Sequence, residues 1–213
     1  MKSRWISVWA LAAAVAALTA PAPVLAQPAA AHAKDTTARG GLPPTLQVAG
    51  QTLRLNGKGT RYRAIIKVYE IGLYAGTKVS SLDQLLAAPG AKRIQIVPLR
   101  TLTGDSLGVA MVQGMQDNAA PGERLKLIPH MDRLTRIFQA EPSVAAGSEV
   151  VIDFVPGKGT IFYVDGVQKG EVVTDPTYFS SVARIWLGPK AVDANLKDAL
   201  LGVEARRVES AGG

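Results

Sequence analysis

Arg61, Arg63, Lys67 and Tyr69 are the residues whose types and spacing most readily suggest chemistry in this chain. They lie in NGKGTRYRAIIKVYEIGLY, Asn56 to Tyr74, a run whose β-branched and aromatic content suits a strand. Read as one strand, period two sets Arg61, Arg63, Ile65, Lys67, Tyr69, Ile71 and Leu73 on one face. Tyr62, Ala64, Ile66, Val68, Gly72 and Tyr74 fall on the other, interrupted by Glu70. The first face is cationic in its first half and apolar in its second. Against a helical layer it would hold an anionic head group near the cations and the phenol, with an apolar body running toward Ile71 and Leu73. Against water, the same half is a row of solvated cations on a strand that outruns its core. The pattern admits both readings. The Tyr62-to-Val68 side reads as ordinary core, and the glycines of GKG as turn residues before the strand.

Other chemistries fall away by residue type. GKGT occurs at Gly57–Thr60 and again at Gly157–Thr160, but a phosphate loop needs Gly-Lys-Ser/Thr opening a helix, and here the lysine precedes the second glycine and a strand follows. The histidines are His32 and His130 and there is no cysteine, so neither a thiolate nucleophile nor a structural metal site has its ligands. His130 lies in a helix beside the apolar stripe rather than in it. Glu149 and Asp153 share a strand face but sit roughly 13 Å apart by strand rise, too far for a paired-carboxylate site. Asp153 reads as a solvated or paired face residue. No cofactor motif is present.

The elements that must position these residues are legible from period and punctuation. Thr45–Val48 and Gln51–Leu55 alternate around Ala49-Gly50, which predicts a hairpin. Ser81 caps a predicted short helix to Ala88, and Arg93–Leu99 alternates as a strand with Pro98 at its end. Two helices follow, one over about Gly104–Asn118 with Leu107, Met111 and Met115 in line. The other carries Leu127, Met131, Leu134 and Phe138. Glu149–Val155, Thr160–Val164 and Val167–Val172 form a predicted meander, with Asp165-Gly166 as a tight turn. Asp175-Pro176 opens a helix lined by Phe179, Val182, Ala183 and Trp186, and Asp193 caps a last helix that stops at Gly202. The order predicts an α+β fold, helices on one face of a mainly antiparallel sheet.

The chain has 213 residues, enough for one domain with a substantial core. Residues 1–26 read as a signal peptide: Lys2 and Arg4, an apolar run, then Val24-Leu25-Ala26 as a small-residue cleavage site. Residues 27–43 read as a flexible leader without hydrophobic period, and 44–208 as the domain. A periplasmic or secreted protein is expected, with no stable membrane insertion once the signal is removed. Removing two cations from the formal +7 leaves +5, and the cations are not gathered with aromatics into a nucleic-acid module. The expected partner is an amphipathic small molecule, and the expected state a monomer.

Taken together, L-N-G-K-G-T-R (55–61), K-V-Y-E-I-G-L-Y (67–74), P-G-A-K-R-I (89–94), the V-D-G turn ending at Gly166, I-W-L-G (185–188) and A-L-L-G (199–202) resemble the chalcone isomerase-like family. The resemblance spans about residues 45–205. It implies an open-faced β-sandwich, a large antiparallel sheet covered by helices with the ligand cleft between. Two activities accompany that fold: plant isomerases close a chalcone to a flavanone, and non-catalytic plant relatives bind fatty acids through an arginine and a tyrosine.

Carried over by position, the family's active-site arginine falls on Arg61. The position that is threonine in the isomerases and tyrosine in the fatty-acid binders falls on Tyr69. The isomerase tyrosine and the asparagine after it fall on Ser106 and Gln113, and a later threonine falls on about Ile185. An arginine with a tyrosine makes a sound carboxylate clamp, whereas Ser106 and Ile185 are poor substitutes for donors aimed at a developing oxyanion. The resemblance therefore favours binding of a carboxylate such as a fatty acid, with an isomerase (intramolecular lyase) acting on a chalcone-like or other unsaturated ketone as the alternative. One departure stands out. The plant proteins place more residues between the arginine and the Lys-hydrophobe pair, and in a single straight strand Arg61 and Tyr69 would lie roughly 26 Å apart. In that case Arg63 or Lys67 would be the cation nearer to Tyr69.

Overall fold

The architecture is that of a computed structural model, which describes residues 41–203. The expected signal peptide and most of the expected leader lie outside the described residues. The described chain begins on the sheet: Gln95 donates a side-chain hydrogen bond to the Gly41 carbonyl (2.9 Å), and Leu42 packs against buried residues on one sheet face.

Seven strands form one antiparallel sheet: β1 (Thr45–Val48), β2 (Gln51–Arg63), β3 (Ile66–Ala75), β4 (Lys92–Pro98), β7 (Val150–Val155), β8 (Gly159–Val164) and β9 (Val167–Val173), paired in that spatial order. Two short strands, β5 (Leu102–Thr103) and β6 (Ser143–Val144), pair separately and have no counterpart in the sequence-based expectation. The helices are α1 (Leu82–Ala87), α2 (Gly104–Asp117), α3 (Arg124–Gln139), α4 (Pro176–Leu187) and α5 (Ala194–Leu201). Side-chain caps start four of them, at the expected Ser81 on α1, Asp175 on α4 and Asp193 on α5 and also at Thr103 on α2. The tight turns at Ala49-Gly50 and Asp165-Gly166 carry positive φ at both central residues, as a two-residue hairpin loop demands.

The main core lies between the sheet and the helices. Ile71 and Leu73 of β3, Ile94 and Ile96 of β4, and Phe162 of β8 join Met115, Leu134, Phe179, Trp186 and Leu200 from the helices in one buried cluster. Tyr74, Leu46, Val48 and Leu53 form a smaller cluster on the opposite face. There, Arg93 and Asp153, cross-strand neighbours on β4 and β7, make a bidentate pair at 2.7 and 2.8 Å. Asp153 is thus buried and paired. His130 is also buried, contrary to its expected place beside the apolar stripe: its Nε2 lies 2.9 Å from Asp175 Oδ2, and its ring stands edge-on to Tyr178.

The run from Asn56 to Tyr74 is two strands rather than one. The chain reverses at Ala64-Ile65, and β2 and β3 pair up to Arg63 opposite Ile66. Consequently Tyr62 and Ile66, expected in the core, are solvent-exposed at the end of a hairpin, as is Ile65.

The GKG glycines are also corrected, since Gly57 and Gly59 lie inside β2 rather than in a turn. Their lack of a side chain admits α5. A Cβ on Gly57 would fall 2.1 Å from the Ala199 carbonyl oxygen, and one on Gly59 would fall 2.7 Å from Leu196 Cδ1. Glycine serves here because a helix backbone rests on the strand. Asn56, at the bulge beside Gly57, locks the contact. Its Nδ2 donates to the carbonyls of Val79 (2.9 Å) and Leu200 (2.8 Å), and its Oδ1 accepts from the Val79 amide (2.8 Å). The second GKGT begins in the turn after β7 and runs into β8, with positive φ at Gly157 and Gly159.

Candidate functional site

The reversal at Ala64-Ile65 sets Arg61 directly opposite Tyr69 on the β2–β3 ladder. Tyr69 points toward the helical layer and packs against the main core. Its hydroxyl oxygen accepts a hydrogen bond from Trp186 Nε1 of α4 at 2.9 Å. An indole N–H can only donate, so this bond uses an acceptor lone pair of the phenol and leaves its O–H free to donate elsewhere. Burial pushes the Tyr69 phenol above the ordinary tyrosine range, against the opposing effects of the Trp186 hydrogen bond and the Arg61 charge. The hydroxyl stays protonated at neutral pH and is a donor.

Arg61 reaches from β2 to the start of α5, where Asp193 Oδ2 lies 3.4 Å from one guanidinium nitrogen. The same guanidinium donates to the Tyr62 carbonyl. Asp193 is shared, since its Oδ1 accepts from the Leu196 amide and caps the helix. A single 3.4 Å contact is long for a charge-assisted hydrogen bond and is not the two-pronged fork that guanidinium and carboxylate can form. Arg61 thus keeps donors for a second anion. Arg61, Tyr69, Trp186 and Asp193, drawn from two strands, α4 and the cap of α5, make one partly buried polar cluster beside the core.

The other positions singled out by sequence do not join it. Arg63 and Lys67 are exposed near the hairpin tip and form no ion pair among the described residues. Ser106 belongs to the start of α2, where its hydroxyl donates to the Thr103 carbonyl (2.9 Å) and its amide to the Thr103 hydroxyl (3.2 Å). Gln113 is exposed on α2 and donates to Asp117 of the next turn at 2.8 Å. Ile185 is buried against Gly114. Ile71 and Leu73, the expected wall for an apolar ligand body, are covered by the protein's own side chains.

Trp186 and Asp193 are the cluster members that sequence reasoning placed only structurally, as a core aromatic and a helix cap. An open cleft of about 870 Å³ lies elsewhere, where the α2–α3 and α4–α5 connections meet α1. Ala120, Pro121 and Pro189 give it an apolar lining, and Arg124, Arg184 and Lys190 contribute cations. Arg184 is paired with Glu123 at 2.9 Å.

Comparison with known proteins places the chain. No curated protein matches its sequence. A fatty-acid binding protein of Arabidopsis thaliana, known from a crystal structure, superposes with a TM-score of 0.57 at 17% identity over 75% of this chain and 90% of that one, a likeness of fold. A family model described as chalcone isomerase-like matches residues 34–202. With a match over that span, the chain belongs to the chalcone isomerase-like family.

Proposed function

We propose that this is an exported protein that binds an amphipathic carboxylate, such as a fatty acid, through Arg61 and Tyr69, and does not convert it chemically. The observation that carries this reading is the pairing of Arg61 with Tyr69 across the ladder, with the phenol's proton left unspent because Trp186 takes up its oxygen as an acceptor. A carboxylate set between them would take charge-assisted donors from the guanidinium and one hydrogen bond from the phenol. That a protein of the same fold is a fatty-acid binder supports the choice of ligand class. Because Ile71 and Leu73 are filled in by core side chains, the alkyl body would lie outward of Tyr69, toward the hairpin tip. Cyclisation chemistry has weaker support: the Ser106 hydroxyl is committed to the α2 cap, Gln113 to Asp117, and Ile185 offers no donor.

The test is native mass spectrometry of the purified protein for bound lipid, followed by calorimetric titration with palmitate. Wild-type protein should bind saturably, and Arg61→Ala and Tyr69→Phe should each weaken binding about tenfold or more, the scale of a lost charge-assisted or buried hydrogen bond. Lys190→Ala, in the separate cleft, should leave it unchanged. Absence of saturable binding, or loss through Lys190 alone, overturns the reading. So does turnover of hydroxylated chalcones faster than their spontaneous cyclisation.

A further inference from the structure

We propose that the tip of the β2–β3 hairpin is a finger that docks on an anionic lipid bilayer surface. From Arg54 to Tyr69 the chain carries five cations, Arg54, Lys58, Arg61, Arg63 and Lys67, and no carboxylate. Arg61 is answered by Asp193, whereas Arg63 and Lys67, which flank the turn, are exposed. Between them the tip presents apolar side chains to water, Ile65 at 94% exposed and Ile66 at 49%, and Tyr62 beside Arg63 is 41% exposed. Such exposure contributes nothing to folding. The strands stay paired out to Arg63 and Ile66, so these groups are carried at the end of an ordered hairpin rather than on a loose loop.

Adjacent isoleucines between cations suit a surface that is anionic outside and apolar just beneath. The side chains of Ile65 and Ile66 would enter the boundary between head groups and acyl chains, while Arg63 and Lys67 meet the lipid phosphates. The other occupants fit less well. A stable protein interface needs roughly 800 Å² from each side, more than a six-residue finger supplies. Single-stranded nucleic acid needs stacking platforms, and the tip has one tyrosine and two aliphatic residues. Docking of this kind requires no span, and no helix among the described residues is long and apolar enough to cross a membrane. The inference goes beyond carboxylate binding: it rests on Ile65, Ile66, Arg63 and Lys67 rather than on the Arg61–Tyr69 pair.

The experiment is cosedimentation of the purified protein with vesicles of phosphatidylcholine alone or mixed equally with phosphatidylglycerol. Wild-type protein should partition at least about tenfold more strongly onto the anionic vesicles, and less so as salt is raised. The pair Ile65→Ser and Ile66→Ser, and separately Arg63→Glu with Lys67→Glu, should each reduce that partitioning about tenfold. A second apolar exposure, Leu125 and Ile128 on α3, serves as the control, and changing both to Ser should have no effect. An Ile65→Trp variant provides an independent reading: its fluorescence should shift to the blue on adding anionic vesicles and not on adding neutral ones. The proposal fails if wild-type protein ignores anionic vesicles, if both tip doubles still bind, if the α3 double abolishes binding, or if the emission of the Ile65→Trp variant does not move.

Discussion

Arg61 and Tyr69 are eight positions apart in sequence and face one another as cross-strand neighbours, because the chain between them doubles back at Ala64-Ile65. A non-hydrogen-bonded or hydrogen-bonded cross-strand pair has Cα atoms about 4.5–5.5 Å apart, against roughly 26 Å for the same residues along one straight strand. The reversal is what brings a guanidinium and a phenol side by side.

Asp193 would compete with the proposed carboxylate for Arg61. Asparagine caps helices as well as aspartate does, so Asp193→Asn removes the competing charge while keeping the α5 cap. The expected outcome is affinity for palmitate raised several-fold in calorimetry, with thermal stability within about 1 kcal/mol of wild type. Unchanged affinity would separate Arg61 from the head-group site.

Asn56→Ala should be strongly destabilising. It would strip partners from the Val79 amide, the Val79 carbonyl and the Leu200 carbonyl, all within a buried contact. At about 1–3 kcal/mol for each buried group left unsatisfied, the loss should exceed about 3 kcal/mol in urea unfolding. Asn56→Asp, which keeps an acceptor but loses both donors, should not rescue it.

The two strand glycines should differ in tolerance. The Cβ of Gly57→Ala meets the fixed backbone of α5 at 2.1 Å, whereas that of Gly59→Ala meets the end of the Leu196 side chain, which can turn aside. Gly57→Ala should cost about 3 kcal/mol or more and Gly59→Ala about 1 kcal/mol, measured by the same unfolding curves. Equal costs would mean that α5 does not press on the strand as described.

Stability should fall on the acid side partly through Asp175. Hydrogen bonds from the Thr177 hydroxyl and amide, with a smaller contribution from His130, hold its carboxyl below the ordinary aspartate range. A depressed folded-state pKa gives stability that is present above the unfolded value of about 3.9 and is lost as pH falls through the folded value. Asp175→Asn should therefore flatten the decline in melting temperature below about pH 4, while Asp175→Ala, losing the α4 cap, should cost about 1 kcal/mol at neutral pH. An acid limb unaltered by Asp175→Asn would show that other carboxylates account for it.

What can be read from sequence is what neighbours in sequence decide. Ser81, Asp175-Pro176 and Asp193 mark helix starts because a cap acts over three residues, and Ala49-Gly50 and Asp165-Gly166 mark hairpins because their backbone conformation favours them. The reversal at Ala64-Ile65 is silent in the sequence because it contains no glycine, proline or asparagine, although Ala64 takes a positive φ there. Gly57 and Gly59 look like turn residues because the helix that requires them arrives some 140 residues later. The same distance hides the site: the Trp186–Tyr69 bond and the second oxygen of Asp193 join parts of the chain that no local pattern connects.

The Asn56 side chain ties residue 79 to residue 200, so the sheet's second strand is finished by α5. A nascent chain emerging from its N-terminus cannot close this contact until residue 200 has been made. Contacts of such long sequence separation are slow to form and leave β edges unpaired in the meantime. Until then the face of β2 that α5 covers stays open, so this contact is among the last of the fold to close.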